Sequence, residues 1–130
     1  MPLQHINPPE LSKNPAFSQA VAAVGPGKLV IVGGQNAVDA SGKVVGEDLY
    51  TQSKQALANV VTALKAAGCN RQDVIRLGIY MIADRDVRDG YRAAQEVWGP
   101  NPTAITVLQV PAFANPDFLV EIEAMAFKPD

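Results

Sequence analysis

Four consecutive residues, Leu29-Val30-Ile31-Val32, place branched apolar side chains on both faces of a strand. Such a strand needs cover on both sides. The last apolar stretch, Phe118 to Phe127, makes the same demand. Val120, Ile122 and Ala124 form one row of it. Leu119, Glu121, Glu123, Met125 and Phe127 form the other, largely apolar around two carboxylates. The rest of the chain supplies two helical patterns, enough for one face of a sheet. A monomer would leave the second face as a broad apolar patch, which soluble monomers rarely tolerate. The expectation is a homo-oligomer that buries it, with a partly solvated open sheet as the alternative.

The remaining elements follow from periodicity and punctuation. Residues 1–15 carry Pro2, Pro8, Pro9 and Pro15 and suit an irregular or edge segment. Phe17 to Val24 reads as a first strand, Gly25-Pro26-Gly27 as a turn, and Leu29–Val32 as a second strand. Asp39 to Gly42 forms a turn between Val38 and Val44, as in a short hairpin. A helix is predicted from Asp48, its N-cap, to Ala67, with Gly68 ending it. Leu57, Val60, Val61 and Leu64 mark its buried face, and Asn59 lies off that face. A strand follows from Val74 to Ile82, with Ile75, Leu77, Ile79 and Met81 on one side and Arg76, Gly78 and Tyr80 on the other. A second helix is expected from Asp86 to Trp98, capped by Asp84, with Val87, Tyr91, Ala94 and Trp98 as its apolar stripe. Thr103–Val110 and Phe118–Phe127 are the last strands. The order is β-β-α-β-α-β-β, one α+β domain over residues 1–130 with a mixed sheet and both helices on one face.

Composition excludes several function classes. The 130 residues carry 13 acidic and 11 basic side chains, a net charge of −2. That balance offers no clustered basic surface for nucleic acid. No apolar run reaches the roughly 18 residues of a membrane span, and the N-terminus lacks the pattern of a signal peptide. Cys69 is the only cysteine, so no intrachain disulfide forms, and a reducing cytoplasmic setting is expected. His5 is the only histidine and has no neighbouring ligand, which argues against a metal site. No phosphate loop or dinucleotide fingerprint is present, so no cofactor is expected.

Four stretches in order resemble the RidA/YjgF family, also labelled endoribonuclease L-PSP. They are Asn14 to Val21, Val30-Ile31-Val32-Gly33-Gly34-Gln35, Gln55 to Val60, and Val120-Glu121-Ile122-Glu123-Ala124. The resemblance runs from about Phe17 to Phe127. It implies a chorismate-mutase-like fold and a homotrimer whose sheets form a central barrel, with a small-molecule pocket at each subunit interface. In the best-studied members that pocket hydrolyses 2-imino acids and enamines. An arginine there binds the substrate carboxylate, and a glutamate positions water.

The chain departs from that pattern. Where deaminating members read Pro-Ala-Arg-Ser, it reads Pro102-Thr103-Ala104-Ile105, which puts Ala104 at the arginine position. Thr106 stands where many members carry a cysteine or small residue. Phe17 replaces a tyrosine, Gly33 replaces a serine, and Tyr91 falls near a customary asparagine. Glu121 is retained. The resemblance therefore implies a member of the arginine-lacking branches.

Glu121 is the leading catalytic candidate, since a carboxylate there can orient water or shuttle a proton. The alternative is a structural bond to another subunit. Glu123, on the same row, is read as supporting the trimer. The substrate-binding candidates are Phe17, Gly33, Gly34, Ala104 and Thr106. Each also has a structural reading: core for Phe17, a bulge for the glycines, strand filling for Thr106. Arg76 is a weak substitute for the missing arginine. Cys69 is expected to be exposed and unreactive. The functional expectation is a hydrolase or deaminase of a reactive imine or enamine other than the standard 2-imino acids. The alternative is a trimer that binds a small metabolite, or protects proteins, without turnover. A ribonuclease role is disfavoured by the acidic balance.

Overall fold

The computed structural model describes residues 2–130. The first two strands, β1 (Leu3–Ile6) and β2 (Ala20–Ala23), form a separate antiparallel pair. The proline-rich start therefore holds a strand, ending before Pro8. The expected strand at Phe17 begins three residues later, because residues 14–17 form a turn in which Phe17 N–H donates to the Asn14 carbonyl. The main sheet contains β3 (Gly27–Gln35), β4 (Val74–Ile82), β5 (Ala104–Val110) and β6 (Val120–Pro129), in the order β3-β6-β4-β5. The β4–β5 pair is parallel and the other pairs are antiparallel. A parallel pair needs a crossover, which the second helix supplies.

Helix α1 (Leu49–Ala66) starts at Asp48, whose carboxylate accepts from Thr51 N–H at 2.7 Å. It ends at Ala67, followed by Gly68 at φ +79°. Its buried row includes Leu49, Ala56, Leu57, Val60 and Leu64. These meet Val32, Leu77, Ile79, Met81, Val120 and Ile122 in one core. Each large side chain so buried is worth about 1.5–3 kcal/mol.

Helix α2 (Val87–Trp98) is capped by Asp86, not Asp84: Asp86 accepts from Arg88 N–H at 2.9 Å, while Asp84 pairs with Arg85 at 3.1 Å. Of its expected stripe, Val87 and Ala94 pack half-buried against the core and only Tyr91 turns outward. Gly90, Ala93 and Trp98 are buried, whereas Tyr91 is 46% exposed. A Cβ at Gly90 would lie 2.5 Å from Met81 Cε, so the glycine leaves room under the helix for the Met81 side chain of β4. Cys69 is also buried, not exposed: after Gly68 the chain folds back on the end of α1, where Cys69 N–H bonds Leu64 O at 2.8 Å and the side chain joins the core. Burial pushes its thiol pKa up, and the Asp73 carboxylate adds to this.

The face opposite the helices is open. Leu29, Ile31 and Leu108 are 57%, 65% and 50% exposed, and Met125 and Phe127 are half-buried. The two-sided apolar pattern thus yields, in one chain, an uncovered apolar sheet surface.

Candidate functional site

The open face carries polar groups at its centre. Glu121 projects from β6 toward β3, where the ladder shifts register between Val32 and Gln35. Gly34 lies in this bulge, and Glu121 lies across it: a Cβ at Gly34 would meet Glu121 Oε2 at 2.5 Å. Gly33 has open space around its Cα. The bulge expected for the glycines is present, and at Gly34 the close neighbour is the Glu121 side chain.

A polar relay sets the position of Glu121. Asn36 Nδ2 donates to Glu121 Oε1 at 3.2 Å and to Val120 O at 3.0 Å. The Asn36 carbonyl accepts from Asn59 Nδ2 at 3.0 Å, which also donates to Val38 O at 2.9 Å. Gln55 Nε2 donates to Asn59 Oδ1 at 2.9 Å. Helix α1 thus reaches the open face through Asn59 and Asn36. Sequence reading missed all three residues. The only local signal was a pair of amides four apart on one helix, Gln55 and Asn59, the spacing of neighbours on a helix surface.

Glu123 leans the other way, over Gly78, where a Cβ would meet Glu123 Oε1 at 2.7 Å. It accepts from Arg76 Nη1 at 3.1 Å and from the Tyr80 hydroxyl at 3.0 Å. Arg76 is therefore already engaged. In register it sits beside Ala104, with Thr106 beside Gly78 and Leu108 beside Tyr80. Glu121 stands opposite Tyr80.

This lattice gives distances. Strands are about 4.8 Å apart and residues rise about 3.3 Å, so Glu121 and Ala104 in one chain are about 16 Å apart at Cα, and Glu121 and Thr106 about 12 Å. One chain therefore joins Glu121 to Gly34 but not to Ala104 or Thr106, although all share the open face. Phe17 lies on the helix side, against a cavity of about 750 Å³ bordered by Trp98, Ile105 and Val107. Within a single chain it does not meet Glu121. Among the described residues no group of three His, Cys, Asp or Glu side chains gathers to hold a metal, and no helix is long and apolar enough to cross a membrane.

The architecture is an α+β layer with helices on one side and a carboxylate-bearing sheet face on the other. The family model for endoribonuclease L-PSP matches residues 10–128. The chain belongs to this family, the RidA/YjgF family. It is 32% identical over 113 residues to a RutC family protein of Pyrococcus horikoshii, covering 86% of each chain. It is 28% identical over 134 residues to a 2-iminobutanoate/2-iminopropanoate deaminase of Salmonella typhimurium, covering 91% of this chain and 99% of that one. Among solved structures, a conserved Rid family protein of unknown function from Yersinia pestis superimposes with a TM-score of 0.85 at 32% identity, covering 97% of this chain and 98% of that one. Some relatives are thus named imine deaminases.

Proposed function

We propose that this chain hydrolyses a small reactive imine or enamine other than the standard 2-imino acids, in a cleft between the subunits of a homotrimer. The observation that carries this reading is Glu121, held by Asn36 on an uncovered sheet face. Its carboxylate takes a proton from water as the oxygen attacks the C=N carbon, then returns a proton to the departing nitrogen, giving a carbonyl product and ammonia. The separation of about 12–16 Å within one chain favours a cleft in which Glu121 and the Ala104–Thr106 segment come from different subunits. The exposed Leu29, Ile31 and Leu108 favour such an assembly. Sedimentation equilibrium should give three times the chain mass of 13.8 kDa.

Substrate choice follows from Ala104. A methyl group forms none of the paired N–H···O bonds that an arginine gives a carboxylate. The neighbouring guanidinium of Arg76 is spent on Glu123. Losing one partner of a desolvated charge pair costs about 2–5 kcal/mol, roughly 30- to 4000-fold. The test generates imines enzymatically, from amino acids with an amino-acid oxidase and from simple amines with an amine oxidase, and follows carbonyl release with and without the protein. Acceleration is expected for the imines without a carboxylate, with a loss of about 100-fold or more in Glu121→Gln. Strong acceleration of 2-imino acids alone would overturn the substrate reading. Binding without turnover of either class would favour the metabolite-binding trimer.

A further inference from the structure

Asn36 keeps one polar atom that the fold does not use. Its Nδ2 donates to Val120 O at 3.0 Å and to Glu121 Oε1 at 3.2 Å, which spends both amide hydrogens. Among the described residues no donor reaches its Oδ1. The residue is half-buried, and its backbone carbonyl accepts from Asn59 Nδ2 at 3.0 Å. The amide is planar, so the two bonds made by Nδ2 also fix where Oδ1 points. Planar amide geometry places Oδ1 about 4–5 Å from Glu121 Oε1. Glu121 and Asn36 thus present two acceptors side by side.

The charge around this pair is negative. On the open face Arg76 is committed to Glu123 at 3.1 Å. Glu121 takes part in no ion pair among the described residues. Ala104 and Thr106, beside Arg76 and Gly78 on the edge strand, are neutral. An unpaired carboxylate on a largely apolar face attracts a cation and repels an anion.

We propose that Asn36 is a specificity-determining residue and that the site takes its substrate as a protonated primary iminium, R₂C=NH₂⁺. One N–H points at Glu121 Oε1 and the other at Asn36 Oδ1. Two such bonds of about 2.8 Å, splayed at about 120°, need acceptors about 5 Å apart, which the pair supplies. Glu121 Oε2, over Gly34, is left for water. The water oxygen bonds to carbon as the C=N π pair withdraws to nitrogen, and one water proton passes to Oε2. That proton then moves to nitrogen, and the C–N bond breaks with its electron pair on nitrogen. The hydroxyl proton leaves with the ammonia as ammonium while the C=O bond forms. The carbonyl product has an acceptor where the iminium had two donors, so both oxygens repel it. The inference rests on the reading of Glu121 as the hydrolytic carboxylate, but its test reads binding alone, so the two can fail separately.

Four stable probes separate charge from N–H recognition. Benzamidinium is a planar cation with the same C=NH₂⁺ unit, phenyltrimethylammonium is a cation without N–H, benzamide is neutral and benzoate is an anion. A ¹⁵N-labelled sample shows the side-chain amide of Asn36, assigned by its loss in Asn36→Leu. A saturable shift of that signal is expected with benzamidinium, at a concentration at least about tenfold below that needed for any other probe. Followed through the ligand's own resonances, benzamidinium binding should weaken about tenfold in Asn36→Leu and disappear in Glu121→Gln. The comparison of the four probes uses the unaltered protein and stands even where a variant fails to fold. Three results would each overturn the inference: no shift at millimolar benzamidinium, another probe binding as well, or unchanged benzamidinium affinity in a folded Asn36→Leu. Selective binding by a protein that hydrolyses no imine would overturn the deaminase reading and support the recognition. Imine hydrolysis without selective binding would do the reverse.

Discussion

Gly34→Ala tests whether the seat of Glu121 is as tight as its geometry indicates. Gly34 has no left-handed backbone, so alanine is conformationally permitted there. Only the close approach opposes it: the new Cβ would lie 2.5 Å from Glu121 Oε2, 2.8 Å from Cδ and 3.0 Å from Cγ. The carboxylate must swing away and lose its bond from Asn36 at 3.2 Å. A hydrogen bond to a charged group is worth about 1.5–3 kcal/mol, and this long, partly solvated one about 1 kcal/mol. An off-rotamer side chain adds roughly 0.5–1.5 kcal/mol. Against this, alanine reduces unfolded-state entropy and returns about 0.4–1 kcal/mol. The net cost is about 1 kcal/mol. In a Glu121→Ala background the clash disappears and the same change should stabilise by about 0.4–1 kcal/mol, a coupling of roughly 1.5–2.5 kcal/mol. Urea unfolding followed by circular dichroism measures both steps, at one fixed chain concentration because assembly shifts apparent stability. Equal effects in the two backgrounds, within about 0.5 kcal/mol, would refute the argument.

Gln52→Leu should destabilise the fold by about 2–3 kcal/mol in the same assay. Gln52 is buried, donates to Gly46 O and Asp117 O at 3.1 and 2.9 Å, and accepts from Leu119 N–H at 2.9 Å, so its loss orphans a buried donor. Asp86 has its pKa lowered to about 2 by the Arg88 side chain and then by the Arg88 backbone N–H. A carboxylate whose pKa is depressed on folding stabilises fully above its unfolded value near 4 and loses that contribution as pH falls toward 2. Asp86→Asn, which keeps the cap acceptor and removes the charge, should therefore flatten the acid limb of α-helical ellipticity between those pH values. Ellman's reagent should react slowly with Cys69 in the native protein at pH 8 and rapidly in urea, since the thiol is buried with a raised pKa; fast native labelling would contradict its placement.

Local signals in the chain were enough for both helices, the Asp48 cap, the Gly68 stop, the four long strands and the row carrying Glu121. Each rests on a periodicity or on an interaction within a few residues, so short windows of sequence contain it. The same signals misled at α2. Asp84 and Asp86 are equally good caps on composition, and the helix starts at the second, with Asp84 paired to Arg85. Tyr91 was read as core with the rest of its stripe because periodicity reports which residues are apolar, not how far round the helix the covered face extends.

The placement of Glu121 shows the division most sharply. Strand alternation alone put it on the face away from the helices. Only the folded chain supplied what holds it there, because Asn36 lies 84 residues before its Val120 partner and 23 before Asn59. The same is true of the strand order β3-β6-β4-β5, the pairing of β1 with β2, the engagement of Arg76 by Glu123 and the burial of Cys69. These depend on which distant segments meet, and the cost of closing a loop varies only slowly with its length, so sequence spacing carries almost no record of the partner chosen. That choice is made by the shape and polarity of surfaces that exist only after the sheet has formed.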